Sequence, residues 1–195
     1  MDWKDSYRDA ENSDEDDPFP KMLESDVDSI LGPYVATELA TVEKALCCAG
    51  VGPDDCVLDL GSGDGRFCVA AAQQFRVRHA VGVEIDDSLV KASARHAQQC
   101  GVSDRTTFTA LDLTDPDLEV SALAPKPNRV TLAIVFLLPE SEKLFERHVR
   151  SLYDAGAHVL SLAFALDRLG LQLLMAERPM FLYGKTGDRI HCKSK

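Results

Sequence analysis

Three glycines at alternate positions, in Gly61-Ser62-Gly63-Asp64-Gly65, directly follow the apolar run Cys56-Val57-Leu58-Asp59-Leu60. Glycine lacks a Cβ, so such a backbone turns sharply and lets a ligand lie against it. The free N–H groups of a helix starting just after the turn favour a negative ligand group. A dinucleotide-binding turn reads Gly-x-Gly-x-x-Gly, however, and its third glycine would fall at Arg66. Asp59 stands two residues before Gly61, and Asp64 lies inside the turn. Carboxylates repel a pyrophosphate and attract an ammonium group. The ligand implied is a nucleoside with a positive group and no phosphates. S-adenosylmethionine, which carries an α-ammonium and a sulfonium, meets both conditions.

Further acids stand where such a ligand needs them. Glu84 follows Gly61 by 23 residues and ends a second apolar run, the spacing at which an acid accepts hydrogen bonds from ribose hydroxyls. Its neighbour Ile85 is placed to cover one face of the adenine. Asp112, with Leu113 after it, follows a third run and is placed to accept from the adenine amino group. Each acid alone reads equally well as a solvated strand end or a helix cap. Three at the ends of successive strands beside a glycine turn make a site.

The elements that must position these residues alternate along the chain. Strands are expected at 56–60, 80–84, 106–111, 129–136 and 157–164, and helices at 66–75, 88–100 and 140–152. A leading helix begins near Thr37, with Leu39, Val42, Leu46 and Ala49 on one face and Gly50 closing it. Residues 171–175 and 180–183 are two further short strands separated by Pro179. Strands alternating with helices of this length predict a parallel α/β sheet with right-handed crossovers.

The chain has 195 residues and a net charge of −11. Its first 28 residues hold 11 acids and 3 bases, net −8, and the other 167 hold 21 acids and 18 bases, net −3. The division predicts an acidic, disordered tail over 1–28 and one domain over 29–195. An acidic chain repels phosphate backbones, so no nucleic-acid partner is expected. No apolar run reaches the ~20 residues of a membrane helix. The acidic start also resembles neither a secretion signal nor a transit peptide, so a cytoplasmic location is expected. The six cysteines show no Cys-x-x-Cys or other metal-ligand spacing, which predicts reduced thiols and no metal. The five histidines have no nucleophile partner motif and are read as surface or core residues.

The blocks Asp59-Leu-Gly-Ser-Gly-Asp-Gly-Arg-Phe67, Gly82-Val-Glu-Ile-Asp86 and Ala110-Leu-Asp112 together resemble the first three motifs of class I, seven-strand S-adenosylmethionine-dependent methyltransferases, over roughly residues 33–164. Pro33-Tyr34-Val35-Ala36-Thr37 and Phe136-Leu137-Leu138-Pro139-Glu140 bring the chain closer to one subgroup. It contains the lysine methyltransferases of the ATP synthase c-subunit and of the adenine nucleotide carrier, with their uncharacterised relatives. That subgroup usually has Pro-(Phe/Tyr)-Val-Pro-Thr, so Ala36 is a departure. Its mitochondrial members carry an N-terminal membrane or targeting segment, where this chain is acidic.

The resemblance implies a Rossmann-like sheet of order 3-2-1-4-5-7-6 with helices on both faces. It implies S-adenosylmethionine held by Asp59, Gly61, Ser62, Gly63, Asp64, Gly65, Glu84, Ile85, Asp112, Leu113 and Thr37. Phe136 and Leu137 are expected to wall the acceptor channel. Tyr34 is expected to cap the cofactor pocket, and Glu140 to orient or deprotonate an amine. The activity implied is methyl transfer to a protein lysine. The alternatives are a small-molecule acceptor, or a scaffold that binds the cofactor without turnover.

Overall fold

The computed structural model describes residues 1–7, 34–126 and 128–185. Its seven strands are β1 (Cys56–Leu60), β2 (His79–Glu84), β3 (Thr106–Ala110), β4 (Leu132–Val135), β5 (His158–Leu162), β6 (Leu173–Glu177) and β7 (Met180–Tyr183). They form one sheet of order β3-β2-β1-β4-β5-β7-β6. The first five run parallel, and β7 lies antiparallel to both β5 and β6. Every residue of β1, β4 and β5 is buried, which accounts for their near-continuous apolar sequences.

Helices α1 (Leu39–Cys48), α2 (Arg66–Gln73) and α3 (Asp87–Gln99) contribute to one core layer, and α4 (Glu142–Asp154) to the other. Side chains alternate between these layers along each strand. Val57 packs into the α1–α3 layer, whereas Cys56, Leu58 and Leu60 pack into the α4 layer. Asp59 shares the parity of Val57 and so faces the α1–α3 side. The strand order reverses at β1, between β2 and β4, and a crevice opens beyond the carboxyl ends there.

Two strands are shorter than their apolar runs suggest, and both differences shape the site. β4 stops at Val135, so Phe136 and Leu137 leave the ladder. β5 stops at Leu162 because Ala163 takes a positive φ of 64°. The helix expected from 140 begins at Glu142, after a 3₁₀ turn over Pro139–Ser141. The leading helix begins at Leu39 rather than near Thr37.

Residues 1–7 depart from the expected tail. Trp3–Tyr7 forms a 3₁₀ turn that buries Trp3 and Tyr7 to 2 % and 0 % exposure against the α1–α3 layer. Two aromatic rings four residues apart bury enough apolar area to offset local ordering, which the surrounding acids conceal in a composition count. The rest of the 1–28 expectation lies outside the described residues.

Candidate active site

The glycine turn joins β1 to α2 with positive φ at Gly61 (82°), Gly63 (53°) and Gly65 (80°). At Gly63 a Cβ would run into the ring of Tyr34, which lies directly on the turn. The turn's own N–H groups are used internally. Those of Gly61 and Ser62 donate to the Val83 carbonyl at 2.9 Å, and that of Gly65 to the Ser62 carbonyl. Gly63 N–H donates to Glu84 Oε2 at 2.8 Å. Four of the turn's five N–H groups are therefore occupied, which weakens the attraction for a phosphate at the turn itself.

Glu84 ends β2 and ties three backbone donors together. Besides Gly63, its other oxygen accepts from Ile85 N–H at 2.8 Å and Asp86 N–H at 3.1 Å. Oε1 thus uses both of its lone-pair sites, whereas Oε2 accepts only from Gly63 and keeps one for a ribose hydroxyl. Asp86 caps α3 by accepting from Ser88 N–H at 2.8 Å and the Ser88 hydroxyl at 2.6 Å, which holds its carboxyl below the usual range.

Asp59 is 3 % exposed and, among the described residues, its Oδ2 has no hydrogen-bond partner; the buried Ser62 hydroxyl has none there either. Burial, reinforced by Glu84 and Asp64, pushes the Asp59 carboxyl well above the ordinary carboxylate range. A buried carboxylate without a partner is costly, and an ammonium delivered beside it would remove that cost. This orphaned oxygen, on a cleft with the acid Glu84, fits the α-ammonium and ribose of S-adenosylmethionine.

Asp64 behaves differently from the bare charge expected. Its carboxylate is paired with Arg66, Nη2 to Oδ2 at 2.7 Å and Nε to Oδ1 at 2.9 Å, with both side chains buried. Arg66 also donates to the Thr37 carbonyl and, at 3.5 Å, to the Tyr34 hydroxyl. Burial and the nearby Asp64 charge raise the Tyr34 phenol far above its ordinary range, so it stays protonated. Tyr34 is thereby suited to orienting a ligand rather than to taking up a proton.

One cleft brings most of the expected residues together. Tyr34, Thr37, Asp59, Gly61, Ser62, Gly63, Asp64, Glu84, Ile85, Asp112, Leu113, Phe136 and Leu137 all line it. Asp112 is exposed, and its Oδ1 already accepts from Thr114 N–H and hydroxyl at 2.8 and 2.7 Å. Its loop is clamped to α4. His148 Nε2 lies 2.8 Å from the Leu113 carbonyl, and Arg147 donates to the carbonyls of Asp115 and Pro116. Burial lowers the His148 pKa and keeps the ring neutral, with the proton on the nitrogen facing that carbonyl.

Two expected site residues fall outside the lining. Gly65 acts at one remove: a Cβ there would strike Ser93 and Phe108 at 2.7 and 2.8 Å, so it sets how closely the turn packs on α3 and β3. Glu140 is exposed in the Pro139–Ser141 turn and does not line the cleft, because the turn directs it outward. Among lining residues that sequence reasoning missed are Val35, Arg66, Asp86, Leu138 and Phe164. Asp86 was signalled by its place two residues after Glu84. Phe164 had no comparable signal, since it reaches the cleft only through the turn at Ala163.

Comparison with known proteins decides the family. The model of the ANTKMT methyltransferase domain matches residues 59–171, which include the glycine turn, Glu84, Asp112 and the residues after β4. The chain belongs to that methyltransferase family. A protein-lysine N-methyltransferase of Saccharolobus islandicus is 31% identical over 134 residues, covering 69% of this chain and 78% of the relative. The mouse adenine nucleotide translocase lysine N-methyltransferase is 32% identical over 158 residues, 81% of this chain and 61% of that protein. The crystal structure of an RNA methyltransferase from Salinibacter ruber, in complex with S-adenosyl-L-homocysteine, superimposes with a TM-score of 0.61 at 30% identity. That match covers 76% of this chain and 91% of that one. The methyltransferase thus has the Rossmann-like seven-strand fold that the motifs implied, and S-adenosylmethionine is its cofactor. Among the described residues no helix is long and apolar enough to cross a membrane, and no metal-ligand cluster is present.

Proposed function

We propose that this methyltransferase modifies a protein lysine. The likeness to two protein-lysine N-methyltransferases, at 31% and 32% identity, together with the match to the methyltransferase domain, carries the reading. The cleft supports it. Asp59, Glu84, Asp112 and Leu113 bind the cofactor's ammonium, ribose and adenine, with Thr37 and Tyr34 covering it. Phe136, Leu137, Leu138 and Phe164 line the remaining side, with Leu138 and Phe164 at 38 % and 36 % exposure, an apolar rim suited to the aliphatic stem of a lysine. When bound, the sulfonium supplies an activated methyl group to an in-line nucleophile. The chain contributes position and exclusion of water. Tyr34, kept as a neutral phenol, orients the amine through its oxygen.

An RNA acceptor is the second reading, favoured by the likeness to the Salinibacter ruber enzyme. The net charge of −11 weighs against it. Incubating the protein and labelled S-adenosylmethionine with a cell lysate separates the outcomes. The expected label survives nuclease, is lost to protease, and is recovered as methyl-lysine on hydrolysis. Label lost to nuclease would establish the RNA reading, and label in the small-molecule fraction the metabolite alternative. Binding of S-adenosylhomocysteine with no acceptor labelled would leave a scaffold.

A further inference from the structure

The first seven residues reach further into the site than core packing requires. The Trp3 indole N–H donates to Gln74 Oε1 at 2.9 Å, its backbone N–H donates to Gln73 Oε1 at 2.6 Å, and Lys4 pairs with Glu43. These contacts anchor the segment on α1 and α2. Tyr7 then lies under the glycine turn. Its hydroxyl donates to the Asp64 carbonyl at 3.2 Å, and its ring packs on His96 with centroids 4.1 Å apart. His96 Nδ1 lies 3.1 Å from the same carbonyl. The Arg66 guanidinium stands 5.3 Å over the Tyr7 ring. From there Arg66 reaches Asp64, Thr37 and Tyr34, the last two of which cover the cleft.

We propose that residues 1–7 form a clasp within the cofactor-binding machinery, with Tyr7 as a positioning residue. Tyr7 holds the Gly61–Gly65 turn from below and, through Arg66, holds the Tyr34–Thr37 strap above it. A turn with three positive-φ glycines has few intrinsic conformational preferences, so its shape depends on what it leans on: Val83 and Glu84 of β2, and Tyr7 at the Asp64 carbonyl. Fixing that shape before the cofactor arrives removes an ordering cost from binding. A segment that only filled the core would need the two rings and no hydroxyl aimed at Asp64. The inference rests on this cleft being the S-adenosylmethionine site.

The test compares the full chain with Tyr7→Phe, Tyr7→Leu and a variant lacking residues 2–7. It reads S-adenosylhomocysteine affinity by calorimetry, KM for S-adenosylmethionine and kcat, and the unfolding midpoint of the ligand-free protein. Tyr7→Phe keeps the ring and loses one hydrogen bond, so its affinity should fall about fivefold with an almost unchanged midpoint. Tyr7→Leu and the deletion should weaken binding about tenfold or more, raising KM while kcat at saturating cofactor stays within twofold. Tyr7→Phe that binds as wild type, or variants whose midpoint falls while affinity holds, would reduce the segment to packing and overturn the clasp. If the deletion does not fold, the Tyr7→Phe comparison alone decides. Wild-type protein that fails to bind S-adenosylhomocysteine would instead overturn the cofactor assignment of the cleft, and the clasp with it.

Discussion

Replacing Asp59 with Asn should move stability and cofactor affinity in opposite directions. The wild-type carboxyl is buried, carries an unpartnered oxygen and titrates well above the ordinary range. A group whose folded pKa is raised holds its proton more tightly in the folded state than in the unfolded one. Folding stability therefore declines as pH rises from the unfolded value, about 3.9, up to the folded one. Asn has nearly the same shape and no charge. The ligand-free variant should melt no lower than wild type at pH 8, and the two should converge below about pH 4. Binding should respond in reverse. The ammonium of S-adenosylhomocysteine loses a buried charged partner, a loss of about 3 kcal/mol or roughly 150-fold in affinity. Wild-type binding should also weaken as pH falls through the raised pKa of Asp59 and release a proton, a dependence the variant lacks. Calorimetry in buffers of different ionisation enthalpy reads both quantities. An Asn variant that is less stable yet binds within threefold of wild type would refute the reasoning, because Asp59 would then be paid for by the fold and not by the ligand.

Glu84→Ala should lower affinity and stability together, because it orphans the Gly63, Ile85 and Asp86 donors; a loss of at least ~1 kcal/mol is expected in denaturant unfolding. In Gly63→Ala the new Cβ meets Tyr34 at a positive φ, so S-adenosylhomocysteine binding measured by thermal shift should largely disappear. Arg66→Met leaves Asp64 buried without its partner, and chemical denaturation should register a loss of about 3 kcal/mol. Glu140→Gln should retain turnover within twofold in the labelled-methyl assay, since the residue is exposed and outside the cleft.

What was legible in the chain is what depends on local spacing. Alternate glycines after an apolar run place the turn, Glu84 at the end of the next run falls in the cleft beside it, and apolar stretches place β1, β4 and β5. What was hidden depends on contacts between distant segments. Arg66 reads locally as the first residue of a helix, yet its partner is Asp64 and its reach extends to Thr37. Asp64 counted as a free charge until that pairing neutralised it. Trp3 and Tyr7 sit among acids whose number outweighs them in a composition window, although burial is decided by the faces they meet on α2 and α3. Phe164 reaches the cleft through one left-handed residue, Ala163, which no propensity anticipates.

The clamp of α4 on the loop after β3 makes the two walls of the cleft mechanically one piece. Phe136 to Leu138 run directly into the turn that opens α4, and the same helix grips the loop carrying Asp112 and Leu113 through His148 and Arg147. Under the proposed assignment, the surface that would face the acceptor and the surface that would face the purine thus share a single mount. On that assignment, repacking the acceptor wall to admit a different substrate would shift the mount, and a change of acceptor preference would carry a change in nucleobase recognition with it.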